Sequence, residues 1–281
     1  MGSKSGLTLF LVLMPLAGIA WAQRPASAQS GWYVEAGVGA TLPSTMKQAG
    51  RNLDDICYPT NICSQAPAGY RWFYDLLADQ GTALSISAGR SWQHVCVEIA
   101  GMQLRTNLDQ VFTGLTFLDG KSVLPNPDSD YTTSAIATIG DLTVRALRLN
   151  AYFYLPLGLV RLSPYLGGGL GASFLKVSDL FYHGQYGCAV ASCDVDPSYY
   201  DSQQATDLTD TVLSKHVYAG TDYALSDRLR LNLQVAYHLT DKLSFEDPYI
   251  FHPKDNITSI TEVSGIRHFS VLLSVRYLLF Q

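Results

Sequence analysis

Residues 266–281 read IRHFSVLLSVRYLLFQ, and their side chains alternate between apolar and polar along most of the stretch. Successive residues of a β-strand point to opposite faces of a sheet, so the alternation predicts a strand over 267–279. Its apolar face contains Phe269, Val271, Leu273, Val275, Tyr277 and Leu279, and its polar face His268, Ser270, Ser274 and Arg276. A strand of this kind suits a sheet that has lipid on one side.

Seven further stretches are predicted strands, and most of them alternate in the same way. They are 32–41, 82–92, 93–105, 142–157, 163–175, 212–225 and 228–240. A period of two would spread around the axis of a helix rather than form one face. We therefore expect an all-β protein.

The connections between these strands alternate between short and long. Residues 90–93, 158–162 and 226–227 are short links, whereas 42–81, 106–141, 176–211 and 241–266 are long and polar. This order is typical of a transmembrane barrel whose two ends face different compartments. The sequence predicts an eight-stranded antiparallel up-and-down transmembrane β-barrel. It should have four long extracellular loops, and both termini should be periplasmic.

The N-terminal residues have the features of a secretory signal. Lys4 precedes the apolar stretch 7–19, and Ala20-Trp21-Ala22 is an A-x-A cleavage site. A second such site, at 26–28, leaves the cut position open. The expected organisation is a cleaved signal peptide at 1–22, a short periplasmic segment at 23–31 and the barrel at 32–281. A soluble lipocalin-like barrel is the nearest alternative, but the signal and the low charge, 15% of residues, favour the membrane.

The segments GWYVEAGVGATLP at 31–43 and FSVLLSVRYLLF at 269–280 resemble a known group of small outer-membrane β-barrel proteins. This is the porin and opacity-type surface-antigen group, which includes the membrane domain of OmpA. The resemblance implies a location in the bacterial outer membrane. It also implies recognition of the C-terminal strand by the barrel assembly machinery. An aromatic residue usually closes such chains, whereas here Gln281 follows Phe280.

Several charged residues fall on the faces opposite the aliphatic rows. They are Glu35, Glu98, Asp222, Arg148, Arg230 and Arg276. The interior of an eight-stranded barrel is barely wide enough for its own side chains. We expect these residues to form a charge network that fills the lumen. Gly167, Gly169 and Gly171 share the inward face and should leave room for Tyr152 or Arg148.

Four of the five cysteines lie in long connections and are spaced for local disulfides. Cys57 and Cys63 form one pair and Cys188 and Cys193 the other, although pairing across loops stays open. Cys96 remains as a buried free thiol. With His94 and Glu98 it forms H-x-C-x-E on one strand, a pattern too common to predict a metal site.

The long connections hold 20 of the 24 acidic residues and only seven lysines and arginines, a net charge of −13. Solubility is the simpler interpretation of this charge. The alternative is that carboxylates bind divalent cations, which bridge them to lipopolysaccharide phosphates. The candidates are Asp194, Asp196, Asp201 and Asp207.

The sequence predicts a surface protein with a structural and interactive role, whose loops meet a host or the environment. A narrow porin for small solutes is the first alternative. A lipid hydrolase is more remote, because His238-Leu239-Thr240-Asp241 lacks the Ser and Asn of the H-x-S-N motif of outer-membrane lipid A deacylases. We expect no enzyme activity, no cofactor, no metal and no nucleic-acid partner. The expected partners are outer-membrane lipid, lipopolysaccharide, the assembly machinery and an extracellular ligand of the loops.

Overall fold

The computed structural model describes residues 30–157, 159 and 161–280, with Phe280 described through its backbone only. This part of the chain contains fifteen strands and one short 3₁₀ helix, Pro197–Tyr200. The strands are β1 (Gly31–Pro43), β2 (Met46–Asn52), β3 (Asn61–Ile62), β4 (Tyr70–Ala78), β5 (Gly81–Trp92), β6 (Val95–Phe117), β7 (Leu124–Pro125), β8 (Tyr131–Thr138), β9 (Asp141–Tyr154), β10 (Leu162–Cys188), β11 (Ser202–Ala224), β12 (Leu229–Thr240), β13 (Leu243–Pro248), β14 (Thr258–Ser264) and β15 (Arg267–Phe280). The predicted signal peptide lies outside the described residues. Within them, no helix has the length and hydropathy needed to cross a membrane.

One series of antiparallel strand pairs returns to the strand from which it starts. It runs β1–β5–β6–β9–β10–β11–β12–β15. The last strand, β15, pairs with β1 over its whole length, with Leu42 opposite Phe269 and Val34 opposite Tyr277. We call these eight strands, without the parts of β6, β10 and β11 that lie within 106–141 and 176–211, the lower ring. Each of the eight predicted strands overlaps one of them.

The outward faces of the lower ring are apolar and largely uncovered. Arg90 lies over the rings of Trp32 and Trp92 at the end of the ring near residue 31. The exposed aliphatic and aromatic residues are Val34, Val38, Leu42, Leu84, Ile86, Val95, Ile99, Leu147, Leu149, Phe153, Leu166, Leu170, Phe174, Leu213, Val217, Leu233, Val235, Leu239, Phe269, Val271, Leu273, Val275, Tyr277 and Leu279. An apolar surface that surrounds a whole ring is suited to hydrocarbon and not to water.

The prediction that the long connections are loops is wrong for much of their length. Residues 42–81 contain β2 and β4, residues 106–141 contain the far half of β6 and β8, and residues 241–266 contain β13 and β14. The connection 176–211 contains the far ends of β10 and β11. We call these segments the upper strands. They pair in the orders β13–β14–β2–β4–β6 and β8–β10–β11, so they extend the sheet well beyond the lower ring.

The upper strands escaped prediction because their polarity is the reverse of that in the lower ring. Along β10, Phe174 is outward and exposed, Leu175 is buried and Lys176 is outward again. In β13, Leu243 and Phe245 are buried while Ser244 and Glu246 are exposed. Above this change of sign, water faces the outside of the sheet, and its inside holds a layer of apolar side chains together with buried polar ones such as Gln48 and Gln204.

Short kinks join several upper strands to the lower ring. The links are two residues long at 44–45, 79–80, 139–140, 241–242 and 265–266. Gly265 has φ +73°, a left-handed conformation that residues with a Cβ adopt at a cost. The kinks allow each strand to continue while its side chains meet a different solvent.

Two adjacent leucines of β4 test this architecture. Leu76 is 0% exposed inside the upper strands, and Leu77 is 43% exposed on their outside. We expect Leu76→Ala to lower the free energy of unfolding by about 2–5 kcal/mol, because it leaves a cavity. Leu77→Ala should cost under about 1 kcal/mol, since little buried contact is lost. Urea titration of the refolded protein measures both, and two equally small effects would contradict the strand assignment.

Candidate functional site: the packed interior and the outer tips

Arg276 organises the interior of the lower ring at the end near the chain termini. Its guanidinium forms ion pairs with Glu35 at 2.6 Å and with Asp222 at 2.7 Å. It also lies over the ring of Tyr33, 4.4 Å from the ring centroid. Asp222 accepts a further hydrogen bond from Tyr154. The side chain of Arg276 is only 3% exposed, so these contacts replace its hydration.

Strand register explains why these charges meet. Arg276 lies directly opposite Glu35 on β1 and opposite Arg230 on β12. Arg230 is 3.8 Å from Asp222, so Asp222 holds the two arginines together. Four of the six predicted lumen residues therefore form one ionic cluster.

Glu98 is buried and forms no direct ion pair among the described residues. Tyr33 donates a hydrogen bond to its carboxylate at 2.7 Å, and Asn150 donates another at 2.8 Å. Ser87 donates a third at 3.2 Å. These hydrogen bonds satisfy the buried carboxylate, which the sequence predicted to belong to a charge network.

Arg148 likewise has no carboxylate partner in the described part of the chain. Its Nη1 donates to Nδ1 of His238 at 2.9 Å and contacts the sulfur of Met102 at 3.0 Å. A guanidinium can only donate, so Nδ1 accepts and Nε2–H of His238 donates to Ser270 at 2.8 Å. The sequence placed Arg148 inside but did not identify these partners.

Three histidines form a row across neighbouring strands beside Arg148. His216, His238 and His268 are register partners on β11, β12 and β15. His216 bonds Asn150 at 2.8 Å, and Asn150 bonds Glu98, so the row connects to the carboxylate. The sequence contains the three histidines, but it does not give the strand register that places them side by side.

A cavity of about 40 Å³ lies between the ionic cluster and the histidine row. Glu35, Glu98, Arg148, His216 and Arg276 contribute to its lining. At roughly 10–15 Å³ for each water, the space accommodates about three waters. The glycines face the same interior as predicted: a Cβ at Gly167 would collide with Tyr152, and one at Gly171 with Arg148.

An apolar layer occupies the barrel interior beyond the histidines. It contains Met46, Leu76, Ala83, Met102, Leu104, Leu108, Leu142, Val144, Leu175, Val177, Leu180, Leu208, Leu243, Phe245, Val263, Ile266 and Leu272. These side chains come from the upper strands and from the adjoining ends of the lower ring. The layer separates the polar interior from the connections 53–69, 118–130, 189–201 and 249–257, which we call the four outer tips.

The outer tips are tied together by aromatic and polar contacts. Tyr58 donates a hydrogen bond to Asp54 at 2.7 Å and stacks on Tyr186 of β10, with ring centroids 5.5 Å apart. His252 lies 3.5 Å from the Asp54 carboxylate. The backbone N–H of Lys254 donates to Nδ1 of His252, so the proton of the neutral ring is on Nε2, which faces Asp54. Burial lowers the pKa of His252, although Asp54 acts in the opposite direction.

The structure joins Cys57 to Cys63 and Cys188 to Cys193, with Cα separations of 6.1 and 5.7 Å. Cys96 is free and buried inside β6. The prediction that His94, Cys96 and Glu98 share one strand is wrong. His94 is exposed in the turn before β6, because the chain reverses at Gln93, where φ is +42°.

The carboxylates proposed for cation binding do not converge. Asp196 accepts from the backbone of Ser198 as a cap of the 3₁₀ helix, and Asp201 accepts from the backbone of Tyr186. Asp207 pairs with Lys176 at 2.7 Å. Across the described residues, no group of three or more His, Cys, Asp or Glu side chains is arranged to hold a metal ion.

A ring of strands with an apolar outside and a packed, partly ionic inside defines an outer-membrane β-barrel protein. The chain belongs to the family described as the outer membrane protein beta-barrel domain, whose model matches residues 8–261. Its location is therefore the bacterial outer membrane. The search of curated proteins finds no match.

Three solved structures are similar to this chain at low identity. Neisserial surface protein A shares 14% identity, with 89% of this chain and 98% of that chain covered and a TM-score of 0.39. OprG from Pseudomonas aeruginosa shares 13%, with 89% and 97% covered and a TM-score of 0.47. Ail, the attachment invasion locus protein of Yersinia pestis, shares 12%, with 89% and 100% covered and a TM-score of 0.29.

Removal of the central arginine tests the ionic cluster. Arg276→Met should lower the free energy of unfolding by about 3–5 kcal/mol, because Glu35 and Asp222 lose their main cationic partner. Arg267→Met is the matched control on the exposed end of the same strand and should cost under about 1 kcal/mol. Urea unfolding in lipid vesicles provides the comparison. An Arg276→Met variant as stable as the control would contradict the assigned role.

The buried histidine of the outer tips predicts a pH dependence. Because burial lowers the pKa of His252, the unfolded state takes up the proton first as the pH falls. The contacts of His252 with Asp54 and Tyr58 should therefore be fully stable at pH 7.5. Their stability should decline as the pH falls below about 6.5, the ordinary pKa of histidine. Hydrogen exchange of 53–69 and 249–257, corrected for intrinsic rates, measures the decline. His252→Gln should remove it, and an equal decline in that variant would contradict the assignment.

Proposed function

We propose that this chain is a cell-surface protein whose role is structural and interactive. The lower ring forms an eight-stranded transmembrane barrel with its termini in the periplasm. The upper strands and the four tips extend outside the cell and present a surface to a host or the environment. The observation that carries the proposal is the filled interior, which favours presentation of the tips over passage of solutes.

The interior contents argue against the narrow-porin alternative. A solute that entered from the tips would meet the apolar layer first and the histidine row next. Below them, Arg276 and its carboxylates occupy the lumen. Conduction would require side chains from two packed layers to move aside together, which a static barrel of this width does not favour.

The tips supply apolar side chains suited to contact with another molecule. Exposed apolar residues in water are uncommon in clusters unless they meet a partner. The residues at the tips are Leu53, Ile62, Leu124, Val190, Val195, Tyr199, Ile250 and Phe251. The two disulfides and the contacts of Tyr58 with Asp54 and Tyr186 stiffen the same segments, which reduces the entropy lost when a partner binds.

The lipid-hydrolase alternative depends on His238, which is 2% exposed inside the ring. Its two nitrogens already bond Arg148 and Ser270, and lipid meets the opposite face of β12. A nucleophile and an oriented base within reach of an acyl chain are therefore not the best account of this site. Acyl release from lipopolysaccharide that disappeared in His238→Ala would restore the hydrolase.

Single-channel recording separates a surface protein from a porin. The purified protein in a planar bilayer should give no stable conductance steps, since the interior is filled. Reproducible steps would favour the porin.

Attachment of intact cells tests the interactive role. Cells that display the protein should adhere to at least one surface in a panel of immobilised extracellular-matrix proteins and glycosaminoglycans. The variant Leu53→Ser/Ile250→Ser/Phe251→Ser should lose at least about tenfold of that attachment, because a few residues buried at the centre of an interface carry most of the binding energy. Val111→Ser/Ile136→Ser, on the sides of the upper strands, is the matched control and should keep it. No attachment by the parent protein, or equal loss in both variants, would overturn the role.

A further inference from the structure

Four cations lie on the outward face of one side of the molecule, where the apolar surface of the lower ring ends. They are Arg105 on β6, Arg145 on β9, Lys176 on β10 and Lys215 on β11, and these strands are consecutive neighbours. All four side chains are exposed. The sequence does not reveal the cluster, because the residues lie up to 110 positions apart and only the strand register brings them together.

Two rows of register partners define a groove on this face. One row runs Arg105–Thr143–Lys176–Thr209, and the other runs Gln103–Arg145–Phe174–Thr211. The groove has a volume of about 510 Å³ and is lined by Thr143, Arg145, Phe174, Leu175, Lys176, Thr209, Asp210 and Thr211. Cationic groups, threonine hydroxyls and an aromatic ring therefore meet where the apolar surface begins.

Three of the anionic side chains nearby, Asp141, Asp207 and Asp210, are already engaged. Asp141 pairs with Arg105 at 3.0 Å, and Asp207 pairs with Lys176 at 2.7 Å. Both carboxylate oxygens of Asp210 accept backbone N–H groups, from Thr211 and from Ser244. No ion pair with Arg145 or Lys215 is formed within the described part of the chain. These two cations are available to an external anion.

Lys215 stands in an unusual position for a charged residue. Its neighbours on the outward face are Leu213 and Val217 along the strand and Leu170 and Leu239 across it. A lysine on the lipid face costs about 2–4 kcal/mol at the bilayer midplane and far less where its ammonium reaches the headgroups. An anionic headgroup close to this wall removes most of that cost.

We propose that the groove and the surface directly below it bind the phosphate groups of a phosphorylated glycolipid of the outer leaflet, with Arg145 in the groove and Lys215, four residues beyond Thr211 on β11, as the principal contacts. Phosphates accept charge-assisted hydrogen bonds from both residues, and Arg145 presents a planar fork that can bond two phosphate oxygens. The threonine hydroxyls contact the sugar, and Phe174 contacts the first carbons of the acyl chains. The site rests on the proposed orientation, in which the upper strands are extracellular.

This proposal replaces the bridging mechanism that the acidic composition suggested. The protein's own cations contact the phosphates directly, and no divalent ion is needed between two sets of anions. The ligand is membrane lipid rather than free phosphate, because the exposed ring of Phe174 lines the groove and belongs to the lipid-facing apolar surface.

Lipid A titration with native mass spectrometry tests the site. The full mature protein, refolded in neutral detergent free of lipopolysaccharide, is titrated with bis-phosphorylated lipid A and with its dephosphorylated form. We expect the dephosphorylated form to bind at least about tenfold more weakly, as two charge-assisted contacts are lost. The variant Arg145→Gln/Lys215→Gln should show the same loss for lipid A. Equal binding of the two lipids, or a variant that binds like the parent protein, overturns the proposal.

Two further variants control for net charge and for folding. Arg51→Gln/Arg71→Gln removes two exposed cations that face each other on β2 and β4, and it should bind lipid A like the parent protein. Arg145→Lys/Lys215→Arg keeps both charges and should bind within about threefold, since the point charges remain. Equal loss in the Arg51/Arg71 variant would mean nonspecific charge attraction and overturn the site. Competition by millimolar inorganic phosphate alone would overturn the lipid as its ligand.

The outcome is separable from that of the proposed function. Conductance and cell attachment use other residues and do not depend on lipid A. A chain that attaches cells through its tips but shows no preference for phosphorylated lipid refutes the groove alone. Tips that protease reaches only from the periplasmic side refute the orientation, and the proposed function with it.

Discussion

The structure depends on the pairing of β15 with β1. Hydrocarbon offers no partner to a backbone N–H or C=O group, so a sheet in a membrane must close on itself. The two strands pair from Trp32 opposite Phe280 to Pro43 opposite His268. Once the ring is closed, alternation divides every strand into a lipid-facing row and an inward row. Charged side chains that would be unfavourable in lipid lie in the inward row, and this is why Arg276, Glu35 and Asp222 meet in so small a space.

The same strands pass from one solvent to another without ending. Below the change of sign near Phe174, the outside is apolar and the inside holds tyrosines, histidines and paired charges. Above it, the outward row includes charged and polar side chains such as Lys176, Ser244 and Glu246, and the inside holds the apolar layer. In the lower half, the side chains that are unfavourable in lipid point into the barrel. In the upper half, the apolar side chains that are unfavourable in water do so. This reversal also closes the lumen, since the apolar layer lies above the polar interior.

Sequence patterns predicted the lower ring well because its outward row is uniformly apolar. The closing strand, the short turns and the local cysteine pairs all depend on neighbours within a few residues. The upper strands were missed because their polarity is reversed and because their inward positions, in addition, vary in chemistry. In β2 these positions include Met46, Gln48 and Asn52, which do not form an apolar row. A polar segment with such a pattern is indistinguishable from a loop until its partners are known.

The candidate site residues also differ in how well the sequence predicts them. Inward charges were predictable one strand at a time, but their partners were not, since Arg148 meets His238 and Glu98 meets Tyr33 only through register. The histidine row and the basic groove are likewise properties of adjacent strands. The described residues therefore form three distinct regions: a lipid-facing wall that carries the basic groove, a packed interior and stiffened tips.

The central claim is that outward side chains change solvent between Phe174 and Lys176. Nitroxide side chains, introduced one at a time along β10 through a non-native amino acid, measure it most directly in lipid vesicles. The account predicts access to lipid-soluble oxygen at 166, 170 and 174, and access to a water-soluble nickel reagent at 176, 181, 183 and 185. Inward positions 175 and 177 should be shielded from both. Lipid access that continued to 185, or uniform water access from 176 to 188 with no alternation, would contradict it.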